Sequence, residues 1–136
     1  MNGAASRQIE PVSAAADAIA KEIVDAAYVV HRALGPGLLE NVYEICLAHE
    51  IAKRGIDVQR QVTLPVTCDA IRVEAGLRLD LLVANCVIVE VKAVEDIDPI
   101  HTAQVLTYLR LAGHRLGLLI NFNVPMIKQG IKRIVL

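Results

Sequence analysis

Apolar residues recur first at helical spacing. From about Ala14 to Leu34, the positions Ile19, Ile23, Ala26, Ala27, Val30 and Leu34 share one helix face. Ser13 stands where an N-cap belongs, and Gly35-Pro36-Gly37 stops the helix in a turn. A second helix is expected from about Leu38 to Arg54, burying Leu39, Val42, Cys46, Leu47 and Ile51 and ending at Gly55. The period then changes to the alternation of strands. Gln59 to Cys68 alternates around Pro65, the mark of an edge strand or a bulge, and Ile71 to Glu74 extends or pairs with it. Leu77 to Ala84 and Cys86 to Ala93 read as two further strands bent at Asn85. A helix over Ile100 to Ala112 follows, stopped by Gly113, with strands at Leu116 to Phe122 and Gly130 to Leu136. This order predicts an α/β fold, an α+β arrangement of helices around a mixed sheet. Residues 1–13 read as a loose tail and residues 14–136 as one domain.

Two charges interrupt the pattern. Cys86-Val87-Ile88-Val89-Glu90-Val91-Lys92-Ala93 reads as a strand buried on both faces, yet it carries Glu90 and Lys92. Side chains alternate along a strand, so both follow Ile88 onto one face. A buried charge costs several kcal/mol unless it is paired or binds a cation. A hairpin centred on Asn85 sets Asp80 opposite Glu90 and Arg78 opposite Lys92. Two carboxylates held together call for a shared proton or a cation, and all-oxygen ligation suits Mg²⁺ or Mn²⁺. The plainer alternative is a structural ion pair of Glu90 with Lys92 or Arg78. In the second helix, Glu40 and Tyr43 share a face, Glu40 lies in the first turn, and Glu44 extends the stripe toward solvent. In the later helix, His101, Gln104 and Tyr108 form a polar stripe beside the apolar Val105, Leu109 and Ala112. Gln104 and Tyr108 are suited to hydrogen-bond a phosphate or a water. His31, His49 and His114 read as surface or capping residues, since no histidine pair has zinc-ligand spacing.

Composition narrows the classes. A formal net charge of −1 argues against non-specific coating of nucleic acid but leaves room for a local basic groove. Cys46, Cys68 and Cys86 form no CxxC pair and read as reduced core residues, which favours a cytoplasmic protein. No apolar run has the length of a membrane span, so no membrane association is expected. Gly35-Pro36-Gly37 lacks the lysine and spacing of a phosphate loop, leaving little support for an enzyme of small phosphorylated metabolites.

Gly37-x-x-Glu40-x-x-Tyr43, within His31-Arg32-Ala33-Leu34-Gly35-Pro36-Gly37-Leu38-Leu39-Glu40-Asn41-Val42-Tyr43-Glu44, resembles the signature of the GxxExxY protein family. The segments from Arg78 to Val83, Val87 to Ala93, Gln104 to Leu109 and Leu118 to Phe122 match that family in the same order, over roughly residues 16–136. The family is grouped with the PD-(D/E)xK nuclease-like superfamily. The resemblance implies a restriction-endonuclease-like α-β-β-β-α-β core with an extra N-terminal helix. It implies Asp80, Glu90 and Glu40 as holders of Mg²⁺ or Mn²⁺, and Lys92 as the residue that assists the attacking water. Gln104 and Tyr108, with His101 and Tyr43, are then expected to contact substrate. The proline that names the superfamily motif is Leu79 here. The expected function is metal-dependent hydrolysis of DNA or RNA. The alternative is a catalytically silent module that kept the fold, with the strand at Gly130 to Leu136 available for pairing across a two-fold axis as a homodimer.

Overall fold

A computed structural model describes residues 11–136. The expected tail thus lies largely outside the described residues. Ser13, within them, caps the first helix by accepting the Ala16 N–H on Oγ at 3.1 Å. The elements in chain order are α1 (Ala14–Leu34), α2 (Glu40–Lys53), β1 (Val58–Cys68), β2 (Ile71–Val83), β3 (Val87–Lys92), α3 (Pro99–Ala112), β4 (Leu116–Asn121) and β5 (Ile131–Val135), with a 3₁₀ turn at Ile127–Gly130. The sheet runs β1-β2-β3-β4-β5. The β3–β4 pair is parallel and the other neighbours are antiparallel. A parallel pair needs a crossover, and α3 supplies it. The expected α-β-β-β-α-β core is therefore α2-β1-β2-β3-α3-β4, with α1 as the extra helix and β5 at the far edge.

Helices cover both faces. On one, Ile23, Ala27, Leu47 and Ile51 of α1 and α2 pack on Val87, Val89, Val91, Leu118 and Ile120. On the other, Val105 and Leu109 of α3 pack on Ile88 and Leu119. Gly117 permits that close packing, since a Cβ there would lie 2.8 Å from Val105 Cγ1. The strands β3 and β4 are buried almost throughout, as parallel strands covered on both sides must be.

Several local expectations change. The helix α2 starts at Glu40, and Leu39 before it is extended and 76% exposed instead of joining the core. The two segments expected at Ile71–Glu74 and Leu77–Ala84 form one continuous β2. Its register with β1 slips between Leu64 and Val66, where Pro65 offers no N–H to the ladder. Gly76 makes room for the slip, since a Cβ there would stand 2.5 Å from the Val66 Cβ. The thiols are free; Cys46 and Cys86 are half-buried against the core beneath α1 and α2, whereas Cys68 is exposed rather than in the core.

One irregularity shapes the site. Strict alternation would put Leu79 and Leu81 on one face. Instead Leu77 and Leu79 pack under α3, whereas Leu81 and Val83 pack under α1 and α2. The strand β1 does the same: Val58 joins the α1/α2 face, and Val62, Leu64 and Val66 join the α3 face. The ladder pairs Arg60 with Leu81 and Val62 with Leu79 and skips the level of Gln61 and Asp80 between them. Gln61 has a left-handed φ of 55°. Both strands turn over at this one level.

Candidate active site

Asp80 and Glu90 meet where β2 and β3 part. The β2–β3 ladder runs from Val83↔Val87 to Leu81↔Val89 and stops. At the next level, side chains replace the ladder. The Asp80 backbone N–H donates to Glu90 Oε2 at 2.8 Å, and the Val91 N–H donates to Asp80 Oδ2 at 2.9 Å. The expected register of the pair therefore holds, but the meeting is made across the gap between the strands rather than by stacking on one face. Asp80 sits at the turned-over level, so its carboxylate reaches a neighbouring strand's N–H. Each carboxylate spends one oxygen on a backbone donor. No hydrogen bond from the described residues reaches Asp80 Oδ1 or Glu90 Oε1.

Electrostatics make this a costly arrangement for two charges. Glu90 is 3% exposed. Burial, then the Asp80 charge, pushes its carboxyl up to about 8, against the opposing pull of the Asp80 N–H and Lys92. Asp80 is raised to about 6, mainly by burial and also by the charges of Glu44 and Glu40, while the Val91 N–H and Lys92 pull it down. The ion-pair alternative does not describe the site: among the described residues no salt bridge joins Glu90 to Lys92 or Arg78.

The helix α3 supplies the polar wall. Lys92 Nζ approaches Gln104 Oε1 at 3.5 Å, and Gln104 Nε2 donates to Tyr108 Oη at 3.0 Å. Burial and the Glu90 charge raise the Tyr108 phenol, as suits a ring that faces the carboxylates. Gln104 and Tyr108 thus stand beside Lys92, as their helical spacing predicts. Asn121 fixes the exit of β3. It is 2% exposed. Its Oδ1 accepts the Val94 N–H at 3.0 Å and its Nδ2 donates to the Val94 carbonyl at 2.9 Å, which anchors the chain just past Lys92. Its Cα pairs with Lys92 in the β3–β4 register. The sequence reading passed over Asn121, although a lone amide ending an apolar strand was a usable signal.

Other expected site residues have different tasks. Glu40 is exposed at the start of α2 and reaches Asp80 as a like charge. Glu44, expected to be solvated, is 4% exposed and accepts from Arg60 Nη2 at 2.8 Å and Gln61 Nε2 at 2.7 Å. Tyr43 is fully buried rather than turned toward a ligand. Its hydroxyl donates to the Gly35 carbonyl at 2.6 Å and accepts the Leu38 N–H at 3.0 Å. Its ring stacks on Phe122 with centroids 4.7 Å apart. Tyr43 therefore pins the Gly35–Leu38 turn that launches α2 and Glu40. His101 accepts the Asp98 N–H on Nδ1 at 3.1 Å, which occupies it at the start of α3. His31 is buried, not a surface residue, and its Nε2 lies 2.8 Å from the Val124 carbonyl.

The donor set fits a hard divalent cation in one limited form. Two adjacent carboxylates, each with one uncommitted oxygen, match the one or two carboxylates that Mg²⁺ accepts while keeping waters. Among the described residues no group of three His, Cys, Asp or Glu side chains is arranged to hold a metal ion. Glu40 therefore does not close a three-carboxylate cage with Asp80 and Glu90. No helix among the described residues is long and apolar enough to cross a membrane.

The family model of the PD-(D/E)XK nuclease superfamily matches residues 17–134. No curated protein and no solved structure matches the chain.

Proposed function

This chain belongs to the PD-(D/E)XK nuclease superfamily, and on that premise we propose that it is a metal-dependent phosphodiesterase that hydrolyses DNA or RNA. The observation that carries the reading is the interlocked pair of Asp80 and Glu90 beside Lys92. Asp80 and Glu90 would hold Mg²⁺ or Mn²⁺, with Glu40 at the mouth acting through water. When bound, such a cation supplies Lewis acidity and a nucleophile at neutral pH. Lys92 orients or deprotonates the attacking water and faces charge that grows on the phosphoryl oxygens. Gln104 steadies Lys92, and Tyr108 donates toward the backbone phosphate. The finer assignment to the GxxExxY family rests on Gly37-x-x-Glu40-x-x-Tyr43, whose tyrosine supports the very turn that presents the glutamate.

The test is cleavage of single- and double-stranded DNA and RNA in Mg²⁺ or Mn²⁺. Cleavage is expected from the wild type and lost in Glu90→Ala and Lys92→Ala. Activity that survives in both variants would overturn the assignment. A silent module predicts neither cleavage nor Mn²⁺ binding by calorimetry. The edge strand β5, with Val135 45% exposed, is the natural surface for a homodimer, and sedimentation velocity decides whether one forms.

A further inference from the structure

The turned-over level of β1 and β2 has to be held. A left-handed φ at a non-glycine residue is strained, because the Cβ crowds the backbone carbonyl. Gln61 adopts one without being a glycine, and no ladder pair joins it to Asp80. Strands left to themselves would relax toward regular alternation, which would carry Asp80 out of the gap where it meets Glu90.

Glu44 is the group that grips this level. It lies on α2, the helix that precedes β1 in the chain, and is 4% exposed. Its two oxygens each take one donor from β1: Gln61 Nε2 reaches Oε1 at 2.7 Å and Arg60 Nη2 reaches Oε2 at 2.8 Å. Arg60 pairs with Leu81 and Gln61 stands at the skipped level, so the grip falls on the residues that flank and make the break. A carboxylate buried at this depth is tolerated because both its oxygens are satisfied. That same satisfaction leaves it poorly suited to ligate a cation. We propose that Glu44 is a positioning residue, a clamp from α2 that holds the left-handed Gln61 and thereby keeps Asp80 in the gap beside Glu90. This deepens the nuclease reading, on which its catalytic consequence rests.

The test separates a clamp from a ligand and from a general packing role. Amide hydrogen exchange is read at Asp80 and Val91, whose N–H groups are held by the two site carboxylates. In Glu44→Ala, exchange at these two amides is expected to quicken roughly tenfold or more, while Val89 and Leu118 in the parallel β3–β4 pair keep their protection. Mn²⁺ affinity and kcat are expected to fall together by about tenfold or more, with KM nearly unchanged. Glu44→Gln offers one acceptor to Arg60 and an amide to a flipped Gln61, so it is expected to stay close to wild type. Gln61→Gly relieves the strained φ, so adding it to Glu44→Ala is expected to recover at least about half of the logarithmic loss. Should Glu44→Ala not fold, the surface pair Gln61→Ala and Gln61→Gly carries the same measurement, with only the alanine variant expected to quicken exchange. The proposal is overturned by exchange within about twofold of wild type in Glu44→Ala or Gln61→Ala. It is equally overturned if Glu44→Gln is as damaging as Glu44→Ala, or if glycine restores nothing. A wild type that neither binds Mn²⁺ nor cuts nucleic acid removes the nuclease reading, and the exchange measurement then decides the clamp alone.

Discussion

Replacing Glu90 with glutamine should stabilise the metal-free protein at neutral pH and flatten its pH dependence. The glutamine carbonyl still accepts the Asp80 N–H, so the change removes a charge and keeps the hydrogen bond. In the wild type both carboxyls bind their protons more tightly folded than unfolded: Glu90 goes from 4.5 to about 8, chiefly through burial, and Asp80 from 3.8 to about 6 for the same reason. Their contribution to stability is therefore complete below pH 4 or so. Asp80 gives up its share as pH rises through about 6, and Glu90 gives up its share through about 8. Between those values Glu90 alone sets the slope, at about 1.4 kcal/mol per pH unit. From pH 6 to 7.5 this comes to about 2 kcal/mol. Urea unfolding followed by circular dichroism, in a chelator at both pH values, measures it. The wild type should lose about 2 kcal/mol over this range relative to Glu90→Gln, and the histidines, common to both proteins, cancel in the comparison. Saturating Mn²⁺ at pH 7.5 should return the lost stability to the wild type alone, since a cation takes the place of the proton. Equal slopes in wild type and Glu90→Gln would refute the reasoning, because they would mean that Glu90 is not held against its charge.

Other substitutions separate chemistry from support. Lys92→Ala should lower kcat by about 10²-fold or more and leave the folded protein intact. Lys92 draws both carboxyls down, so its loss should also move any pH optimum for metal binding upward, which a Mn²⁺ titration across pH reads. Tyr43→Phe removes the hydroxyl that joins the Gly35 carbonyl to the Leu38 N–H, and should cost about 1 to 2 kcal/mol in urea unfolding. Its KM for nucleic acid should stay at the wild-type value; a raised KM at unchanged stability would return Tyr43 to the substrate. His101→Ala should cost about 0.5 to 1 kcal/mol by freeing the Asp98 N–H at the start of α3, again with KM unchanged.

How far the sequence reached depended on the range of the interaction. The order of helices and strands was legible, because periodicity, capping residues and Gly or Pro stops act within a few neighbours. So was the pairing level of Asp80 with Glu90, fixed by a short bend at Asn85, and the Gln104–Tyr108 stripe, fixed by helical spacing. Two charges in an otherwise apolar strand marked the candidate site. What escaped was decided between segments distant in the chain. Alternation along one strand gave no notice that β1 and β2 turn over together at Gln61 and Asp80, since that break exists only in the pairing of the two strands. Glu44 looked solvated on its own helix until β1 brought Arg60 and Gln61 to it. Tyr43 looked like a ligand contact until its partners proved to be its own preceding turn and Phe122. The sequence alone determined which elements form and where two charges stand in an apolar strand. Only tertiary structure decided which carboxylates meet and which are spent as struts, because a carboxylate's role follows from the donors that reach it, and those come from other strands and helices.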